Sequence, residues 1–69
     1  MRQYLILDVG TSSVRAALID ETLRILRLET ARRTAPALFD AEAEWTLLHA
    51  LMKTAASGAG DLAGVAVSA

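Results

Sequence analysis

One carboxylate, one glycine, three hydroxyl side chains and one guanidinium fall close together near the start of the chain: Asp8, Gly10, Thr11, Ser12, Ser13 and Arg15, within the stretch Tyr4-Leu5-Ile6-Leu7-Asp8-Val9-Gly10-Thr11-Ser12-Ser13-Val14-Arg15-Ala16-Ala17-Leu18. Asp8 is the only acid of an apolar run and stands near its end. On an internal strand such a carboxylate needs a partner, and a hydrated cation at the strand end supplies one. Gly10 removes the side chain where the backbone turns or approaches a ligand closely. Thr11, Ser12 and Ser13 offer hydroxyls and backbone N–H groups to phosphate oxygens, and Arg15 adds positive charge beside them. The grouping therefore provides for an anion and a metal ion together.

The elements that must hold these residues follow from the hydrophobic pattern. Residues 3–9 are apolar at nearly every position, as in a central strand covered on both faces. Residues 14–20 continue the theme with Ala16, Leu18 and Ile19, and the short hydroxyl-rich link predicts an antiparallel hairpin. A third strand over 23–30 places Arg24, Arg27 and Glu29 among Leu23, Ile25, Leu26 and Leu28. Its alternation slips phase near Leu26, which predicts a bulged strand towards an edge. Residues 31–39 read as a connection, with Pro36 blocking regular structure and Arg32 and Arg33 solvated.

Asp40 then suits an N-cap, and Glu42 and Glu44 complement the positive end of a helix dipole. Trp45, Leu48, Met52 and Ala55, with Leu51 beside them, recur at helical spacing and predict one face packed on the sheet. Lys53 near the end and Gly58 and Gly60 beyond it stop the helix. Val65 and Val67 begin a last strand. The expected order is β-β-β-α-β, an α/β arrangement.

Asp8-Val9-Gly10-Thr11-Ser12-Ser13-Val14-Arg15-Ala16 resembles the first phosphate-binding segment of the FGGY carbohydrate kinases, in the actin-like ATPase superfamily. Glu44-Trp45 is similar to the acidic-aromatic segment before that family's first helix, and Leu62-Ala63-Gly64-Val65-Ala66-Val67-Ser68-Ala69 to the next strand of the same domain, which ends in serine. The resemblance implies an RNase H-like half-domain, incomplete, with residues 1–69 forming part of the N-terminal domain of a two-domain kinase. It also implies ATP and Mg2+ as cofactors, with Asp8 acting on the metal and Gly10, Thr11, Ser12, Ser13 and Arg15 on the phosphates. A sugar or polyol hydroxyl would be the acceptor. Two departures stand out: Asp20-Glu21-Thr22-Leu23 lacks the glycine common in the family's next turn, and Trp45 is single where the family often has two tryptophans. The family's catalytic base and adenosine pocket come later in its sequence, so this chain alone is expected to be inactive.

Several residues carry plainer expectations. Trp45 is expected to pack at the sheet–helix junction, since large aromatics dominate small cores. His49 has no second histidine or thiolate nearby and suits boundary packing. Arg15 has an alternative role in a surface pair with Asp20 or Glu21. A two-metal nuclease needs converging carboxylates, and the closing Val67-Ser68-Ala69 offers none.

Composition excludes other classes. A net charge of −1 without a dense basic cluster gives no footprint for nucleic acid or an anionic membrane. The chain has no cysteine, which fits a reducing cytoplasm, and no signal-peptide pattern or membrane-spanning apolar run. A hydrophobic content of 54% is high for 69 residues. A chain this short builds one modest core, so an exposed apolar patch and self-association are expected. A non-catalytic oligomerising stub or interaction module is thus the alternative to the kinase reading.

Overall fold

The structure is a computed structural model that describes residues 2–32 and 41–68. Its elements are β1 (Gln3–Val9), β2 (Ser13–Asp20), β3 (Ile25–Arg32), α1 (Ala41–Ala55) and β4 (Leu62–Ser68), the order expected from the pattern. The four strands form one mixed sheet in the order β3-β2-β1-β4. β1 and β2 are an antiparallel hairpin, β3 adds antiparallel to β2, and β4 returns parallel to β1. A parallel return needs a crossover, and α1 supplies it.

Alternation along each strand divides the sheet into two faces. On one face Leu5, Leu7, Val14 and Ala16 are buried against Leu51 and Ala55 of α1, with Val9, Ala31, Leu47, Leu48, Met52 and Ala56 packed around them. Leu18 is buried in the same alternation. The opposite face has no element packed on it among the described residues, so β1 is central but covered on one side only. That corrects the expectation of a strand covered on both faces: a run of apolar residues shows that both faces are apolar, and it does not supply a second layer.

α1 carries Glu42 and Glu44 in its first turn and Lys53 in its last, each favourable to the helix dipole. Its C-terminal end is tied to the sheet by Arg27 of β3, whose Nη1 donates to the carbonyl oxygens of Thr54 at 3.0 Å and Ser57 at 3.2 Å. The Thr54 carbonyl lies in the last turn of the helix and also accepts the Ser57 N–H at 3.3 Å, and Ser57 follows just past the helix end. Gly58, at φ 81°, takes the left-handed conformation that ends the helix. Trp45 is 64% exposed and stacks on His49 with ring centroids 5.8 Å apart. It does not pack at the sheet–helix junction, because Leu47, Leu48, Leu51 and Met52 occupy the sheet-facing side. The expected N-cap Asp40 and the breaker Pro36 lie outside the described residues.

The expected bulge is present. Leu18 pairs with Arg27 and Ile19 with Ile25, leaving Leu26 as the extra residue of β3. The strand begins at Ile25 rather than 23, because residues 20–24 form a tight turn around Asp20. Asp20 is buried, and its Oδ1 accepts from the Thr22 hydroxyl at 2.6 Å, the Thr22 N–H at 2.9 Å and the Arg24 N–H at 3.1 Å. The Thr22 hydroxyl, followed by these backbone donors and the charge of Arg24, holds the carboxyl below its ordinary value of 3.8 against the opposing effect of burial. Leu23 takes φ 68° in this turn, the only non-glycine among the described residues with positive φ. The position is therefore one that glycine fits best. β3 also runs on to Arg32, beyond the expected end at Thr30.

Candidate functional site

The hairpin between β1 and β2 closes tightly. The N–H of Gly10 donates to the carbonyl of Ser13 at 3.0 Å, and a Cβ on Gly10 would lie 3.0 Å from that same oxygen. Glycine is thus favoured here by close backbone approach, not by an unusual φ, since a side chain would push the Ser13 carbonyl aside by a few tenths of an ångström. Thr11 and Ser12 form the exposed tip. Neither these two residues nor the Ser13 hydroxyl is hydrogen-bonded elsewhere among the described residues. Donors at the tip are left for water or a ligand.

Asp8 is the register partner of Arg15 on β2 and of Ser68 on β4, and Arg15 is the partner of Thr30 on β3. Alternation puts all four side chains on the face opposite α1, so Thr30, Arg15, Asp8 and Ser68 form a polar row across the whole sheet. The next row on that face, Leu28, Ala17, Ile6 and Ala66, is apolar. The polar row sits at the carboxyl ends of the parallel strands β1 and β4, the end of an open α/β sheet where ligands usually bind. Arg32 faces Ser13 in the register and lies on this same side, next to the tip.

Asp8 is not an unpartnered buried acid. The Arg15 guanidinium donates to its Oδ2 at 3.1 Å, with side-chain exposures of 57% for Arg15 and 50% for Asp8. The alternative of Arg15 pairing with Asp20 or Glu21 is not realised, since both lie at the far end of β2. Cross-strand register sets the partner: an acid directly opposite a base on an antiparallel pair.

The residues fit Mg2+ only in part. Among the described residues no three acidic or histidine side chains converge to form a cage for a metal ion. A single carboxylate sharing the ion with ligand phosphates is nevertheless a common magnesium arrangement.

The structure thus gathers Asp8, Gly10, Thr11, Ser12, Ser13 and Arg15 at one end of the sheet. Sequence reading missed Thr30 altogether and placed Arg32 in a solvated connection. The signal for both lay in the strand register, which a slip at Leu26 displaces. Compared with known protein families, curated proteins and solved structures, the chain matches none. Among the described residues, no helix is long and apolar enough to cross a membrane.

Proposed function

We propose that this chain is the first phosphate- and Mg2+-binding segment of an ATP-dependent sugar or polyol kinase of the FGGY type, its sheet and helix being an RNase H-like half-domain of the actin-like ATPase superfamily. The observation that carries the reading is the polar end of the bare sheet face: an unspent hydroxyl and N–H tip at Thr11 and Ser12, flanked by Arg15 and Arg32, with one carboxylate, Asp8, beside it. A cytoplasmic enzyme fits this reading, as ATP is its phosphoryl donor.

Phosphoryl transfer depends on positioning and charge neutralisation more than on covalent work by the protein. In the complete enzyme the γ-phosphoryl group passes from ATP to a sugar or polyol oxygen, ADP leaves, and the hydroxyl proton goes to a base outside this chain. The tip N–H groups and hydroxyls orient phosphate oxygens, and Arg15 offsets their charge. When bound, Mg2+ supplies further neutralisation, and Asp8 is the residue that would hold it. Arg15 must share itself between Asp8 and a phosphate, which the exposure of the pair permits.

The test is titration of the isotopically labelled chain with inorganic triphosphate and with Mg–ATP, read by amide NMR. The expected result is weak binding of both, with shifts confined to residues 10–15 and the end of β3. Asp8→Asn releases Arg15 and removes the metal carboxylate, so it should tighten free triphosphate severalfold and weaken Mg–ATP, by the charge changes at one site. Arg15→Ala should weaken both. Binding that leaves the tip unshifted, or that ignores both substitutions, would overturn the assignment.

The bare apolar surface favours a second reading, a non-catalytic module that self-associates. A chain that dimerises yet shows no triphosphate shift at the tip would support it over the kinase reading.

A further inference from the structure

Asp8 and Arg15 stand directly opposite one another in the β1–β2 register, and the guanidinium Nη2 donates to Oδ2 at 3.1 Å. Among the described residues neither forms a second ion pair, and the other bridge, Arg27 with Glu29, lies on β3. Their neighbours along the same row are uncharged: Ser68 beside Asp8 and Thr30 beside Arg15. Arg32 lies one row nearer the tip, opposite Ser13. The two charges therefore cancel locally. A cation that approaches Asp8 meets a carboxylate already neutralised, and an anion that approaches Arg15 meets a guanidinium already engaged.

We propose that this bridge makes the site take its two ions together: a divalent cation and a phosphate bind cooperatively at Asp8 and Arg15, and each alone binds poorly. The inference rests on the phosphate and Mg2+ reading of the hairpin and adds a rule for how that site is filled. A lone cation must open the bridge to reach Asp8, and a lone phosphate must open it to reach Arg15. When both are present, one opening serves both. The second ion thus binds more tightly than it would alone, and linkage makes the enhancement equal in either direction. With both side chains about half exposed, the bridge is of the weak surface kind, so the enhancement is about two- to fivefold. The favoured ligand class is phosphate that already carries a divalent cation, over free phosphate or free cation.

NMR on the labelled 69-residue chain tests the rule. Mg2+ and inorganic phosphate are titrated singly and each in the presence of the other. Ionic strength is held constant, so that screening does not mimic coupling, and free concentrations are corrected for Mg–phosphate association in solution. Mg2+ should move the Asp8 carboxyl carbon, and phosphate the amides of residues 10–13. Each apparent dissociation constant should fall about two- to fivefold when the other ion is present. Arg15→Gln should tighten Mg2+ alone by a similar factor and abolish the coupling, whereas direct attraction between the ions would survive in that variant. Arg32→Gln should weaken phosphate and keep the coupling. The unaltered chain gives a reading independent of any substitution: Mg2+ alone should shift the Arg15 Nε–H resonance, because its carboxylate partner is taken. Failure of both ions to bind at these residues would overturn the phosphate reading and this inference with it. Ions that bind there independently, a coupling that survives Arg15→Gln, or an Arg15 resonance unmoved by bound Mg2+ would overturn this inference alone and leave the reading standing.

Discussion

The two faces of this sheet are made from the same four strands and both carry large apolar residues, yet only one became a core. On the α1 side Leu5, Leu7, Val14 and Ala16 are shut away by Leu51 and Ala55. On the other side Tyr4, Ile6, Ala17 and Ile19 are half-buried by their neighbours in the sheet, and Leu23 and Leu28 are exposed. The difference teaches that apolar content marks a face able to be buried, while burial itself depends on a second layer. It also explains why a polar row survives on the bare face: Asp8 and Arg15 keep contact with water there, and desolvating them would be costly.

The sharpest way to break the comparison is to empty one position on each face. Leu5, 1% exposed, is centred under α1, and Leu5→Ala should lower the unfolding free energy by about 3 kcal/mol through lost transfer energy and a cavity. Leu28, 55% exposed on the bare face, should cost less than about 1 kcal/mol when changed to alanine. Urea unfolding followed by circular dichroism, at one fixed chain concentration, measures both. Equal losses would mean that the bare face is covered in solution.

A smaller effect tests how firmly the helix is held on its face. Arg27→Ala removes two charge-assisted bonds to the Thr54 and Ser57 carbonyls, in an exposed setting, and should cost about 1 kcal/mol. Hydrogen exchange should show the loss as fraying at the C-terminal turn of α1, leaving β1 and β2 protected. Smaller again is Leu23→Gly, which relieves a left-handed backbone at an exposed residue. Relief of about 1–2 kcal/mol is partly offset by the added freedom of glycine when unfolded, about 0.5–1 kcal/mol. A net gain in thermal stability is expected, and a loss would show that Leu23 packs on the bare face.

The least effect is a shallow dependence on acid. Asp20 has its folded pKa lowered, chiefly by the Thr22 hydroxyl. A lowered carboxyl contributes stability that is fully present above its ordinary value and is lost as pH falls through the folded value. Unfolding free energy should therefore decline below the ordinary carboxylate range, and Thr22→Val should flatten that decline. An acid limb identical in Thr22→Val would assign the dependence to another carboxylate.

Local pattern made much of the fold legible. The apolar run 3–9, the hydroxyl-rich turn and the bulge at Leu26 each follow from a few adjacent residues, and so does the helical repeat that puts Leu51 and Ala55 inward. The site was legible to the same extent, since Asp8 to Arg15 lie on a single hairpin. Thr30 and Arg32 escaped because their position beside Arg15 and Ser13 depends on where β3 settles after its bulge. Trp45 escaped because helical spacing does not say which of two adjoining apolar stripes turns inward, and the smaller residues around Leu51 fit closer to the sheet.

What the sequence by itself determined is the set of elements and the hairpin that groups one acid, one glycine, three hydroxyls and one arginine, because these depend on backbone preferences and hydrophobic period over short spans. Tertiary structure alone decided that Asp8 meets Arg15 across the hairpin and Ser68 across a parallel pair, that Thr30 completes the row, and that β4 is left as an uncharged edge. Those are relations between residues far apart in the chain. They are set by strand register and by where a helix of fixed length can lie, and no local preference encodes either.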